Sequence, residues 1–121
     1  MMGDSFIEYV RDQLGDLPNL TFRRMFGGYG IYQGQAFFGI LFKGRLYFKT
    51  DARTCAGYLA RGMDVFRPSA RQALISYYEV PADVLEDAAA LAEWAQHAVT
   101  AARTKRTRAT KSRSRKRIGA R

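Results

Sequence analysis

Residues 21–49 have the sequence TFRRMFGGYGIYQGQAFFGILFKGRLYFK, and the expected fold class follows mainly from these residues. Apolar residues, many of them aromatic, alternate here with polar ones at the period of a β-strand. Three turns that contain glycine divide the stretch, at Gly27-Gly28, Gln33-Gly34-Gln35 and Lys43-Gly44. Because strands joined by such short turns pair antiparallel, the stretch predicts a meander with strands at 22–25, 29–32, 36–42 and 45–49.

Helical patterns lie on both sides of this meander. A helix is expected at 5–14, capped by Asp4 or Ser5, and a second at about 52–61, capped by Thr50 or Asp51. Two further strands are expected at 63–67 and 74–80, before a last helix that starts near 82–83 and carries acids in its first turns. The predicted fold class is α+β, an antiparallel β-sheet meander flanked by N- and C-terminal helices.

The net charge of +9 is unevenly distributed along the 121 residues. Residues 103–121, here called the basic segment, hold ten Lys/Arg and no acid, whereas residues 1–102 hold ten basic and eleven acidic residues and so carry a net charge of −1. Too little apolar surface is present in the basic segment to offset the entropy of ordering it. We therefore expect a folded domain at 1–102 and a disordered basic tail at 103–121.

The composition gives no support to several classes of site. Cys55 is the only cysteine and His97 the only histidine, so a Cys/His zinc site and a disulfide within the chain are not expected. No catalytic, cofactor-binding or metal-binding residue is predicted, and an exposed pair with Glu93 accounts for His97. Because no apolar run approaches the length of a membrane span, we expect a soluble cytoplasmic protein, with a nucleoid-associated location as an alternative.

Several segments together resemble one protein family. They are Arg24-Met25-Phe26-Gly27-Gly28-Tyr29-Gly30-Ile31-Tyr32, Leu46-Tyr47-Phe48-Lys49 with Asp51, Gly62-Met63 with Phe66, Ser76-Tyr77-Tyr78-Glu79-Val80-Pro81, and the final helix with Leu85, Asp87, Leu91 and Trp94. This combination, over about residues 4–102, is similar to the N-terminal domain of the TfoX/Sxy competence regulators.

The resemblance implies a secretion-chaperone-like α+β fold and a bacterial regulatory protein without enzymatic activity. It also implies positive regulation of competence genes together with a transcription factor such as a cyclic-AMP receptor protein. The two-domain regulators carry a second helical domain, and the basic segment stands in that place here, so a stand-alone form is expected. A homodimer is a further expectation, since an open antiparallel sheet leaves edges that a second copy can cover.

The basic segment predicts contact with nucleic acid, because clustered cations release counterions from phosphates. A solubilising or purely vestigial extension is the alternative interpretation. The residues predicted to make this contact are Arg103, Lys105, Arg106, Arg108, Lys111, Arg113, Arg115, Lys116 and Arg117.

Two features within the domain leave alternatives open. The glycines of 25–30 suggest either a tight turn, which is favoured, or an anion-binding loop. The tyrosines suggest either core packing or an aromatic platform for single-stranded nucleic acid. A surface for a protein partner is expected at Arg23, Arg24, Tyr29, Tyr47 and Lys49.

Three functions follow from these observations. The first is a non-enzymatic regulatory module that binds a protein partner and contacts DNA or RNA through the basic segment. The second is a general nucleic-acid-binding protein of the nucleoid or RNA-associated kind. The third, least supported, is an enzyme that groups residues such as Arg24, Asp51 and Glu79 in one pocket.

Overall fold

The structure is a computed structural model that describes the backbone of residues 2–15, 17–25 and 27–119, and the side chains of 5–15, 17–25 and 27–103. Ten elements follow one another along the chain. They are α1 (Met2–Gln13), β1 (Leu20–Met25), β2 (Gly28–Gln33), β3 (Ala36–Phe42), β4 (Arg45–Lys49), α2 (Cys55–Ala60), β5 (Val65–Ser69), β6 (Gln72–Glu79), α3 (Ala82–Leu85) and α4 (Ala88–Gly119).

The six strands form one antiparallel sheet in the order β1-β2-β3-β4-β6-β5. The predicted four-stranded meander is confirmed, and so is the α+β fold class. After β4 the chain crosses through α2, runs along the edge as β5 and returns as β6 between β5 and β4. The edges of the sheet are therefore β1 and β5.

A bulge in β3 sets which side chains face the helices. Ile31 lies opposite Gly39 while its neighbour Tyr32 lies opposite Phe37, so Phe38 is an extra residue on β3. A Cβ atom on Gly39 would lie 3.2 Å from Cδ1 of Ile31, which places this position on the same side of the sheet as Ile31. The bulge thus directs Phe38 and Gly39 together toward the helices.

The main core lies between this helix side of the sheet and all four helices. Phe38 and Phe48 are fully buried there against residues such as Val10 of α1 and Leu91 of α4. The buried stripe of α4 continues with the small residues Ala95, Ala98 and Ala102. Small side chains let the helix approach the strands closely, which explains why α4 packs mainly on β3 and β4.

A second cluster covers the opposite face of the sheet and consists only of strand residues. Ile40, Tyr47, Phe66 and Tyr77 form it, with Phe37, Phe42 and Leu74 packed around them. Phe66 is completely buried although it lies on the edge strand β5, because its ring reaches Tyr47 at 4.9 Å and Phe42 at 5.2 Å between centroids. The β5–β6 hairpin therefore curls over this face, here called the aromatic side.

The last helix differs from its prediction because it is broken into α3 and α4. Oδ1 of Asp87 accepts hydrogen bonds from the backbone N–H groups of Ala89 and Ala90, both at 3.1 Å. This arrangement starts a new helix after the short α3, so Asp87 acts as the cap of α4.

Two other boundaries also differ. The backbone of α1 begins at Met2, so the expected cap positions, Asp4 and Ser5, lie within the helix and not before it. The helix α2 begins only at Cys55, after a turn at 52–54 held by Asp51.

The backbone of α4 runs from Ala88 to Gly119. Its side chains beyond Arg103 lie outside the described residues, so the division at residue 102 and the disordered tail stay predictions. Within the described part of the chain, no helix combines the length and apolar character that a membrane crossing needs.

Candidate functional site

The five residues expected to form a partner surface are divided between the two faces of the sheet. Arg24 and Tyr29 pair across β1 and β2, with the guanidinium 5.8 Å from the ring centroid, and Tyr29 packs on the helix-side core. Arg23 and Tyr47 belong to the aromatic side, where Tyr47 is only 8% exposed. Lys49, the last residue of β4, contacts Tyr77 of the aromatic side and also lines a cavity with residues of α2 and α4. The structure therefore does not bring these five residues into one surface.

Part of the aromatic side is a column of rings with a cation at each end. The rings of Tyr32 and Phe37 stack at 5.0 Å, and Phe37 lies 5.3 Å from Tyr77. Arg23 lies over Tyr32 at 5.3 Å and Lys49 over Tyr77 at 5.1 Å. Because each ring packs against a neighbouring ring or cation, the column stabilises the sheet surface and does not present a row of open faces for bases to stack on.

Hydrogen bonds tie this column and its surroundings together. The hydroxyl of Tyr77 donates to the backbone carbonyl of Phe37 at 3.1 Å, and burial raises the pKa of this phenol. Nearby, Nη1 of Arg45 lies 2.9 Å from both carboxylate oxygens of Glu79. Burial, followed by the charge of Glu79, raises the pKa of Tyr47 between them.

The glycine-rich stretch is explained by packing. Gly27 has φ of +80°, a conformation that favours glycine. A Cβ atom on Gly28 would lie 2.1 Å from the carbonyl oxygen of Leu41, and one on Gly30 would lie 2.5 Å from Sδ of Met25. These glycines permit the β1–β2 turn and its close approach to β3, in agreement with the favoured interpretation of the sequence.

A groove between α2 and α4 brings together polar side chains that are far apart in the sequence. It consists of two adjoining cavities of about 280 and 260 Å³, which share Arg53, Thr54 and His97 in their walls. The remaining lining residues are Lys49, Asp51, Gly57, Tyr58, Trp94, Ala98 and Thr100. We call this feature the α2–α4 groove.

The aromatic wall of the groove holds the short helix α2 in place. The rings of Tyr58 and Trp94 meet edge to face with centroids 4.8 Å apart, and Arg61 lies over Trp94 at 5.4 Å. Arg61 also forms an ion pair with Asp83 of α3. Tyr58 is 3% exposed, and its burial raises the pKa of its hydroxyl well above the usual value.

Positive charge exceeds negative charge among the groove residues. Lys49 and Arg53 contribute two cations, whereas Asp51 contributes the one carboxylate of the lining. Oδ1 of Asp51 accepts from the backbone N–H groups of Arg53 and Thr54, both at 3.0 Å, and from the hydroxyl of Thr54 at 3.2 Å. The backbone hydrogen bond from Thr54 is the main reason why the pKa of Asp51 lies below its usual value.

The sequence indicated two of these residues as functional candidates, Lys49 for a partner surface and Asp51 for an enzymatic pocket, and did not connect them with each other. It paired His97 with Glu93, but the three ion pairs among the described residues do not include His97, and its ring lines the groove. No sequence signal connects 49–54 with 94–100, because the contact between α2 and α4 depends on how both helices pack on the sheet.

Of the nine residues predicted to contact nucleic acid, the structure describes the side chain of one. Arg103 is exposed, and its Nη2 lies 3.5 Å from Oε1 of Gln33 at the end of β2. The other eight, from Lys105 to Arg117, lie outside the described side chains.

The residues named for an enzymatic alternative make separate contacts. Arg24 lies against Tyr29, Asp51 lines the α2–α4 groove and Glu79 binds Arg45. Among the side chains that the structure describes, no three of the types His, Cys, Asp and Glu are close enough to hold a metal ion.

These features define a small α+β domain with a six-stranded antiparallel sheet, helices on one face and an aromatic strand cluster on the other. The family model of the TfoX N-terminal domain matches residues 12–102, which is most of the chain. The chain therefore belongs to the TfoX N-terminal domain family, as its sequence segments indicated. No curated protein matches the chain.

Proposed function

We propose that this protein is a non-enzymatic regulatory module, in which the folded domain binds a protein partner and the basic segment contacts nucleic acid. The separation of charge carries this proposal. Ten cations without an acid follow a domain whose own net charge is −1. A charge distribution of this kind favours binding to a polyanion through the basic segment alone.

The basic segment is suited to affinity and not to sequence recognition. Lys and Arg side chains neutralise phosphates and release counterions, so the binding constant falls steeply as salt rises. Phosphate contacts place a protein on nucleic acid without reading bases. Promoter choice in a regulator of this kind has to come from the protein partner, and a transcription factor similar to a cyclic-AMP receptor protein is the partner that the family resemblance suggests.

A change to the basic segment tests the nucleic-acid part of the proposal. All nine residues named above are replaced by Gln in the full chain, and binding to a labelled DNA duplex and to a single-stranded RNA is measured over a range of salt concentrations. We expect the variant to lose most of its affinity and most of its salt dependence. A control that permutes residues 104–121 without changing their composition should bind as the natural sequence does. Equal binding by the Gln variant and the natural chain would contradict the proposal.

The second candidate is a general nucleic-acid-binding protein, which rests on the same basic segment. The two candidates differ in whether the folded domain also binds a protein partner. Affinity capture from the native cell is carried out with and without nuclease. For a regulatory module, a transcription factor should remain bound after nuclease treatment. Loss of every captured protein would favour the general nucleic-acid-binding protein.

A further inference from the structure

We propose that the α2–α4 groove binds a phosphate group, and that in the full chain this group belongs to the backbone of nucleic acid held by the basic segment. The second half of this inference rests on the proposed function. The groove would extend the contact from the basic segment onto the folded domain.

The position of the groove supports this inference. Thr100 lines the groove on α4 and precedes Arg103, the first residue of the basic segment, by less than one helical turn. A polyanion bound to the beginning of the basic segment therefore passes close to the groove. Lys49, on β4, lines the adjoining cavity of the same groove.

Arg53 supplies the donors that phosphate recognition needs. Its side chain is exposed, and among the described residues its guanidinium forms no ion pair or side-chain hydrogen bond, although its charge acts on Asp51. A guanidinium offers a planar fork of donors that matches two phosphate oxygens. Lys49 adds a second cation, held in place by donation to Oγ of Ser76 at 2.8 Å.

The carboxylate of Asp51 is the one feature that opposes an anion. Three donors from Arg53 and Thr54 already engage its Oδ1, which stabilises its charge within the turn at 52–54. The two cations outweigh this single charge even without His97, whose exposed ring adds a further nitrogen donor. The groove therefore favours an anion over a cation.

The aromatic wall of the groove favours contact with a phosphate over stacking with a base. Trp94 is packed edge-on to Tyr58 and covered by Arg61, so its ring is not open for stacking with a base. Contact through a phosphate is consequently expected to be independent of sequence.

The test compares two full-length variants that each lose one positive charge. Arg53→Gln changes the groove. Arg71→Gln is the matched control, because Arg71 is exposed in the β5–β6 turn and lines none of the cavities described above. Affinity for a labelled DNA duplex is measured by fluorescence anisotropy at several salt concentrations. We expect Arg53→Gln to lower the slope of log K against log salt by about 0.9, the value for one lost phosphate contact, and to weaken binding several-fold at low salt.

The control should bind as the natural chain does, and both variants should unfold at nearly the same temperature as the natural chain. If Arg53→Gln and Arg71→Gln bind DNA equally well, the groove does not contact the backbone and the inference is overturned.

A second measurement covers the case in which the full chain does not bind DNA, which would overturn the proposed function and the second half of this inference. Trp94 is the only tryptophan, so its indole N–H signal can be followed by NMR as pyrophosphate is added. A shift in the natural chain and in Arg71→Gln, but not in Arg53→Gln, would support a site for free phosphate. If the indole signal of the natural chain does not shift, the first half of the inference, that the α2–α4 groove binds a phosphate group, is overturned as well.

Discussion

Tyr58 and Trp94 meet edge to face with ring centroids 4.8 Å apart, and this contact joins α2 to α4. The helix α2 has only six residues, which is too short for a helix to be stable without tertiary packing. Tyr58 is its one buried residue and also lies 5.7 Å from Tyr78 of β6. The position of α2, and with it the shape of the α2–α4 groove, therefore depends on a small group of aromatic rings.

Removing the indole should destabilise the fold. Trp94→Ala is expected to lower the free energy of unfolding by about 3 kcal/mol, the low end of the usual cost for truncating a large aromatic side chain, because Trp94 is only partly buried. Trp94→Phe keeps a ring against Tyr58 and should cost less than half as much. Urea unfolding followed by far-UV circular dichroism measures both. Equal stability of the two variants would show that the ring contact does not hold α2.

Replacing each of two glycines by alanine should change the free energy of unfolding in opposite directions. A Cβ atom at Gly28 meets backbone of β3 at 2.1 Å, so Gly28→Ala requires the strands to separate and should destabilise by about 2 kcal/mol or more. Gly57 lies inside α2 and a Cβ there meets nothing within 4 Å, so Gly57→Ala should stabilise by about 0.5–1 kcal/mol through helix propensity. Thermal unfolding of the two variants provides the comparison, and a stabilising Gly28→Ala would contradict the close approach.

The buried hydroxyl on the aromatic side should contribute a measurable amount of stability. Tyr77→Phe leaves the ring in its column but removes the donor to the carbonyl of Phe37, at an expected cost of about 1 kcal/mol. Tyr9→Phe is a suitable control, since its exposed hydroxyl lies at a longer 3.4 Å from the carbonyl of Leu85. Chemical denaturation of both variants distinguishes them, and the prediction fails if the two substitutions cost the same.

Asp51 should make stability depend on pH in the acid range. Because hydrogen bonds lower its pKa in the folded state from the ordinary 3.8, its contribution is present above that pH and is lost as pH falls through the lower folded value. Asp51→Asn keeps an oxygen acceptor but does not titrate. The stability advantage of the natural chain over Asp51→Asn should therefore shrink as pH falls from 5 toward 2, by roughly 1 kcal/mol at most for a solvent-screened group.

Other acids, such as Asp64 and Asp83, also have lowered pKa values, mainly because of hydrogen bonds from arginine side chains. Their effect is removed when the unfolding free energy of Asp51→Asn is subtracted from that of the natural chain at each pH. A difference that does not change with pH would contradict the prediction for Asp51.

The meander was predictable from sequence because its determinants are local. Short turns with glycine, and apolar alternation between them, were sufficient to place β1 to β4 within two residues of their observed ends. The bulge at Phe38 was not predictable, because it depends on how β2 and β3 pair. The run Ala36–Phe42 is uniformly apolar, so it contains no polar–apolar alternation that an extra residue could interrupt. The break before α4 was missed because Asp87 is acceptable both in a first helical turn and as a cap.

Long-range packing explains what else the sequence did not indicate. Tyr77 and Tyr78 are adjacent on β6, so alternation places their rings on opposite faces, but nothing in the sequence indicates that Tyr78 contacts Tyr58 of α2. The α2–α4 groove combines residues 49–58 with residues 94–100, and only the placement of two helices on one sheet brings them together. Arg23 and Arg24 were expected in one partner surface, but as neighbours on β1 they lie on opposite faces of the sheet, as alternation along a strand requires.

The cap at Asp87 has a consequence for how this domain tolerates changes in length. A residue inserted between Leu85 and Asp87 would enlarge the connection and leave the face that α4 presents to the sheet unchanged. A residue inserted between Asp87 and Arg103 would rotate everything after it by about 100° and advance it by about 1.5 Å. The number of residues from Asp87 to Arg103 therefore sets which residues of α4 face the sheet and on which side of the helix Arg103 lies, so deletions and insertions there should be far more damaging than at the α3–α4 break.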